Sequence, residues 1–301
     1  MTKEEFSAMK KPVLLDGATG SNLMARGMPR GVCTEQWVLE HPQALLGLQR
    51  DYVAAGTQIL YAPTFSANRH ALKRFGLEKN VREMNRALVA LSREAADGRA
   101  LVAGDLTTTG VPLKPDGAMC PSELFDLYAE QISAMAEAGA DFIVAETLLG
   151  IDEAAVALDA AQSVCALPVL CSLTVQADGA VYFGGNCVEA VRTLQELGAA
   201  AVGVNCSFGP EHLASLVKNM KAAAHVPLLI KPNAGMPVIA DDGTAVYPMG
   251  PEEFAQHMLA LHTLGADLIG GCCGTTPAYI AALRAVLERS RPGEAVSARE
   301  I

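Results

Sequence analysis

The sequence predicts a single-domain (β/α)8 barrel, and three observations predict it. Eight short apolar runs alternate with amphipathic stretches along nearly the whole chain. A helix end, a glycine and a buried strand recur in that order at Gly56, Gly139, Gly198 and Gly265. Polar and sulfur-bearing residues then collect where the apolar runs stop: Asp16, Thr64, Asp105, Glu146, Thr174, Cys206, Lys231-Pro232-Asn233 and Cys272-Cys273. That end of the strands is where barrels keep their chemistry. A doubly wound open sheet is the rival architecture, since both are read from alternating elements.

In chain order, residues 1–11 are polar and charged and read as an N-terminal extension. Pro12-Val-Leu-Leu-Asp16 is the first strand with its loop. Residues 42–55 form a helix with Leu45, Leu46, Leu48 and Tyr52 on one side. Gly56 stops it and Ile59-Leu60-Tyr61-Ala62 is the second strand. Leu101 to Asp105 is the third. Residues 123–137 are helical and lead through Gly139 into the fourth strand, Phe142 to Val144. Further helices over 153–164, 188–197, 211–224 and 252–264 separate strands at Pro168 to Leu173, Ala199 to Val202, Pro227 to Lys231 and Ala266 to Ile269. Pro277 suits a first helical turn and opens a last helix over 278–287. The barrel is expected over 12–290, with a polar, fraying tail over 291–301.

A net charge of −10 argues against nucleic-acid or anionic-membrane partners. No apolar stretch is long enough to span a bilayer, and the N-terminus lacks the apolar core of a signal peptide. A soluble, cytoplasmic chain is expected, in which eight cysteines do not make a disulfide framework. Cys165 and Cys171 read as small core hydrophobes. Cys33, Cys120 and Cys187 lie in polar or loop-like stretches. The six histidines fall on or beside helices and read as solvated, and Trp37 as packing.

Cys206 ends strand six, and Cys272-Cys273 end strand eight between Gly270-Gly271 and Gly274. Strands six and eight are next-nearest neighbours in a barrel, so three sulfurs can converge over one mouth. Three thiolates with an open fourth position suit a catalytic zinc. The bland reading is three unlinked cysteines or a vicinal bridge. A thiol with a pKa near 8.5 is a poor nucleophile at neutral pH, and zinc removes its proton.

Asp16-Gly-Ala-Thr-Gly20, Gly203-Val-Asn-Cys-Ser207, Pro232-Asn-Ala-Gly235 and Gly270-Gly-Cys-Cys-Gly-Thr-Thr-Pro277 occur in that order. Together they resemble the zinc-dependent homocysteine S-methyltransferase family, most nearly the homocysteine-binding domain of its cobalamin-dependent methionine synthases. The likeness runs from about Val13 to Leu287. It implies methylation of homocysteine to methionine, with the substrate thiol activated on zinc held by Cys206, Cys272 and Cys273. It also implies Asn233 as a weak fourth ligand before substrate binds. Glu146 and Asp16 match positions that take the substrate ammonium. The amides of Gly17, Ala18 and Thr19 match a loop that takes its carboxylate.

Two strand ends depart from the family pattern. Ala62-Pro63-Thr64-Phe65-Ser66 stands where relatives show Asn-Thr-Phe-Gly, and Thr107-Thr108-Thr109 where a Gly-Pro pair is usual. No folate or cobalamin module is expected beside the barrel. The methyl group is therefore expected from a methyl-corrinoid protein in trans, with methylcobalamin entering only through that partner. S-methylmethionine and betaine are the small-molecule alternatives. Gly274, where S-methylmethionine-type relatives often carry Arg, favours the corrinoid. Two further readings stand beside these: a non-catalytic subunit that binds a thiol or docks a corrinoid protein, and a Schiff-base lyase using Lys231.

Overall fold

Each strand of the barrel is a short apolar run released by a helix end. The computed structural model describes residues 1–239 and 245–290; the expected tail over 291–301 lies outside them. The strands are β1 (Val13–Leu14), β2 (Ile59–Tyr61), β3 (Leu101–Thr107), β4 (Phe142–Leu148), β5 (Val169–Leu173), β6 (Ala201–Asn205), β7 (Leu228–Lys231) and β8 (Ala266–Ile269). All pair in parallel, in the order β1-β8-β7-β6-β5-β4-β3-β2. A bridge between Leu15 and Ile59 brings the two ends of this sheet together. Gln58 ties the same seam: its amide donates to Leu14 O at 2.8 Å, and its side chain accepts from Leu14 N at 2.9 Å. The sheet is therefore a (β/α)8 barrel rather than an open doubly wound sheet.

The helices sit close to where their periodicity puts them. Pro42–Ala55, Pro121–Glu137, Ile151–Val164, Cys187–Glu196, Pro251–Thr263 and Pro277–Ser290 pack around the ring. Gly56 ends the first of these with φ 110°, a left-handed cap that other residues adopt only with strain. The stretch expected as one helix over 211–224 is broken at Leu213 into a 3₁₀ turn, Pro210–His212, and a helix, Ala214–Ala223. Val81–Ala96 and the short helices Gly20–Ala25 and Thr34–Glu40 complete the outer layer. After β7 the chain forms two antiparallel two-residue strands, Val238–Ile239 and Ala245–Val246. No described helix is long and apolar enough to cross a membrane.

The inside of the ring has an apolar floor and a polar ceiling. Val13, Leu15, Ile59, Tyr61, Ala103, Phe142, Val144, Leu170, Ala201, Leu229 and Leu268 form the floor. Phe6 joins them from the N-terminal helix Lys3–Ser7, its ring edge-on to Phe142 at 5.4 Å. Burying that ring contributes about 2–3 kcal/mol, and it places part of the polar N-terminal extension inside the core. Strand alternation then puts Asp105 above Ala103, Glu146 above Val144 and Lys231 above Leu229. Each of these charged residues is buried.

Candidate metal and substrate site

The three cysteines expected to converge do so. The sulfurs of Cys206, Cys272 and Cys273 all lie within 4.8 Å of one another, with Cys206 and Cys273 at 3.5 Å. Tetrahedral zinc with bonds of about 2.3 Å needs its sulfurs ~3.8 Å apart, so the trio fits a soft divalent ion. One segment sets this spacing. Lys231 O accepts from Cys206 N at 3.2 Å, Pro232 O accepts from Cys272 N at 2.7 Å, and Ala234 N donates to Cys273 O at 2.9 Å. The end of β7 thus holds all three thiol-bearing residues through backbone bonds alone.

Local conformation turns the sulfurs inward. Cys206 has φ 51°, a left-handed conformation costing about 1–2 kcal/mol outside glycine. Gly274 has φ 82°, and a Cβ there would fall 2.3 Å from Cγ of Tyr247. Neither its backbone nor its surroundings admit an arginine. Tyr247 also draws the Cys273 thiol down. Thr275 braces the pair from below, donating to Cys272 O at 2.7 Å and accepting from Ala18 N at 3.2 Å.

The thiols differ in acidity. Hydrogen bonds from Cys206 and Cys272 pull Cys273 down to about 3, against burial. Cys272 is driven well above the usual thiol range by its bonds to Cys206 and Cys273, and by burial. For Cys206 the bond with Cys272 works downward, but the bond with Cys273 and burial outweigh it and push the thiol up to about 12.

Beside the sulfurs lies a buried ion pair. Lys231 Nζ stands 2.9 Å from Asp16 Oδ1 and 4.1 Å above the Tyr61 ring. Tyr61 N donates to the other Asp16 oxygen at 2.8 Å. Both oxygens of Asp16 are therefore engaged within the protein. Burial pulls Lys231 down, but Asp16 and Glu146 outweigh it and hold the ammonium well above the ordinary lysine range. A lysine kept protonated is not a Schiff-base nucleophile.

Glu146 is differently placed. One oxygen accepts from Asn205 Nδ2 at 3.3 Å; the other accepts no bond among the described residues. Burial raises its pKa to about 6, against the pull of Lys231. Asn205 also bonds Thr147 and Ser172, fixing the mouth between β4 and β6. In the first loop, Ala18 N is taken by Thr275, whereas Gly17 N and Thr19 N have no partner among the described residues. Asn233 is buried, and its Oδ1 has no hydrogen bond. Its neighbours Pro232 and Ala234 bond Cys272 and Cys273, and an orphaned amide oxygen on that segment suits a weak metal ligand.

The two departures from the family pattern build the frame. Thr64 Oγ1 donates to Asp105 O at 2.7 Å and accepts from Asp105 N at 2.9 Å, linking β2 to β3 past Pro63. Thr107 Oγ1 donates to Glu146 O at 2.9 Å. Thr108 Oγ1, Thr109 N, Tyr128 OH and Leu149 N all donate to the buried carboxylate of Glu153. Glu153→Ala would leave these donors unmatched. It is expected to lower stability by about 2–3 kcal/mol, measurable by urea unfolding, and a loss under about 0.5 kcal/mol would deny the carboxylate this role.

The remaining cysteines lie apart. Cys171 is fully buried and Cys165 half-buried. Cys33 and Cys187, placed by the sequence in polar stretches, are buried as well. The Cys33 thiol donates to Glu35 at 3.3 Å. Trp37 is buried and stacks on His41 at 4.5 Å. Sequence reasoning missed Asn205, Tyr61 and Tyr247. Asn205 could have been found from its place beside Cys206, but nothing around Tyr247 marks it.

A closed barrel with three convergent cysteines on its C-terminal rim defines a class: barrel proteins with a cysteine trio at the mouth that could hold a metal ion. The homocysteine S-methyltransferase family model matches residues 13–287, and the chain belongs to that family. It is 30% identical to the methionine synthase of Mycobacterium tuberculosis (strain ATCC 25618 / H37Rv) over 94% of its own length and 25% of that protein's. The chain thus spans about a quarter of the methionine synthases it matches. It is 29% identical to betaine–homocysteine S-methyltransferase 1 of Rattus norvegicus, covering 93% of this chain and 72% of that one. The metallated homocysteine methyltransferase MmuM of Escherichia coli shares the fold, with a TM-score of 0.79 and 24% identity over 94% of this chain and 98% of that one.

Proposed function

We propose that the chain is a zinc-dependent S-methyltransferase that makes methionine from homocysteine, taking the methyl group from a methyl-corrinoid protein in trans. The observation that carries this is the sulfur trio standing beside an unpartnered Glu146 oxygen and the free amides of Gly17 and Thr19. Cys206, Cys272 and Cys273 would hold the metal, with Asn233 Oδ1 completing the set before substrate enters. Zinc, when bound, supplies the Lewis acidity that keeps a thiol deprotonated at neutral pH. Glu146 receives the substrate ammonium in a charge-assisted bond. Gly17 N and Thr19 N receive its carboxylate, and small residues there allow close approach. The substrate sulfur is thereby fixed at both ends of the amino acid, which converts methyl transfer into a positioned encounter. Unpaired thiols of this kind fit a reducing compartment, so the same proposal includes a cytoplasmic location.

A small-molecule donor is the second reading. Betaine- and S-methylmethionine-dependent relatives are matched over 72% and 78% of their lengths, against 25% for methionine synthase. One experiment separates the readings. Zinc-loaded protein is given homocysteine with methylcobalamin, a methyl-corrinoid protein, S-methylmethionine, betaine or methyltetrahydrofolate, and methionine is measured by mass spectrometry. About one zinc per chain is expected, with methionine formed from the corrinoid protein. Turnover with betaine or S-methylmethionine instead selects the second reading. Binding of zinc and homocysteine without turnover on any donor would make the chain a non-catalytic thiol-binding subunit.

A further inference from the structure

The polar ceiling of the barrel holds more carboxyl groups than the ion pair uses. Asp16, Asp105 and Glu146 share one lysine among the described residues, Lys231, and all four are buried. Lys231 and Tyr61 N satisfy Asp16. Two carboxyl groups, Asp105 and Glu146, are left without an ion pair among the described residues. They lie on neighbouring strands, where Asp105 pairs with Val144 and Thr107 with Glu146, so both side chains stand on the inner face one level apart.

Two buried atoms there have no partner. Asp105 is 4% exposed, and its Oδ1 accepts nothing. Tyr61 is 3% exposed, belongs to the barrel interior, and its hydroxyl is unpaired. Leaving a buried polar atom unmatched costs about 1–3 kcal/mol, so two on one wall mark a place for a polar guest. Lys231 stands 4.1 Å over the Tyr61 ring and Asp16 accepts from Tyr61 N, while Tyr61, Asp105 and Glu146 lie on three successive strands, β2, β3 and β4. Burial and then Glu146 drive Asp105 well above the usual carboxyl range, a penalty that a cation between the two acids would relieve.

We infer that Asp105 is a further substrate-binding residue, which with Glu146 and the Tyr61 hydroxyl forms a three-acceptor seat for the substrate α-ammonium group. An ammonium presents three donors. The seat presents the open Glu146 oxygen, Asp105 Oδ1 and Tyr61 Oη, one for each. Asp16, already engaged by Lys231 and Tyr61 N, is left to hold the ceiling together rather than the ligand. This rests on the homocysteine reading and adds the group that sets amino-acid specificity.

The test is calorimetric titration of the zinc-loaded chain and its Asp105→Asn variant with two ligands. One is homocysteine; the other is 4-mercaptobutanoate, which keeps the thiol and carboxylate but has no amine. Asp105→Asn is expected to weaken homocysteine about 10-fold or more, the worth of a charge-assisted bond. The amine-free thiol should change less than about 2-fold, because it makes no such bond. An unchanged homocysteine affinity, or equal weakening of both ligands, overturns the inference and leaves the homocysteine reading standing. Failure of the wild-type chain to bind homocysteine overturns both. Should Asp105→Asn not fold, Tyr61→Phe carries the same comparison: selective weakening of homocysteine supports the seat, and its absence rejects it.

Discussion

Cys206→Ala is expected to lose its metal and its activity together while keeping its fold. Two adjacent cysteines on one loop cannot enclose a tetrahedral ion. The third sulfur comes from β6, on the far side of β7. Changing a residue that merely supports a metal ligand costs 10- to 100-fold in affinity, so removing a ligand should cost at least about 100-fold. Zinc per chain after dialysis should fall from about one to near zero, and methionine formation to below about a hundredth. Alanine in the left-handed conformation is no worse than cysteine there, so circular dichroism and the unfolding midpoint should hardly move. Cys33→Ala is the control, since that thiol bonds Glu35 and not the trio. A Cys206→Ala protein that kept both zinc and rate would remove the sulfur from the site.

Lys231→Met is expected to be the most destabilising single change at the mouth. It leaves Asp16 buried at 1% exposure with no countercharge. Breaking a buried ion pair from one side costs about 3–5 kcal/mol, more than the pair itself contributes. The double variant Asp16→Asn, Lys231→Met should regain much of that loss, because no isolated charge remains. Urea unfolding of the two singles and the double checks this as a cycle. Additive losses would show that the two side chains do not act on each other.

The ring of strands was legible because each barrel strand is buried on both faces and reads as an unbroken apolar run. Glycine caps before Ile59, Phe142, Ala201 and Ala266 announced where each began. The sulfur trio was legible for a related reason: residues that stop an apolar run in a barrel must stand on its rim. What could not be read was contact through space. Nothing near Asp16 shows that β7 brings Lys231 to it across β8. The paired two-residue strands after β7 are too short to display a period, so they and Tyr247 next to them went unseen. Glu153 sits among apolar helix residues, and its worth appears only once Thr108 and Leu149 are brought to it. The break at Leu213 follows Gly209-Pro210, a turn signal that the surrounding helical pattern masked.

The splint at the end of β7 also dictates when the cage can exist. Its backbone bonds reach back to Cys206 and forward to Cys272 and Cys273, so it has nothing to align until the last strand has been made and inserted. A nascent chain leaving the ribosome offers Cys206 and the splint long before their two partners. The cage is consequently completed only with the closing of the ring at the seam between Leu15 and Ile59.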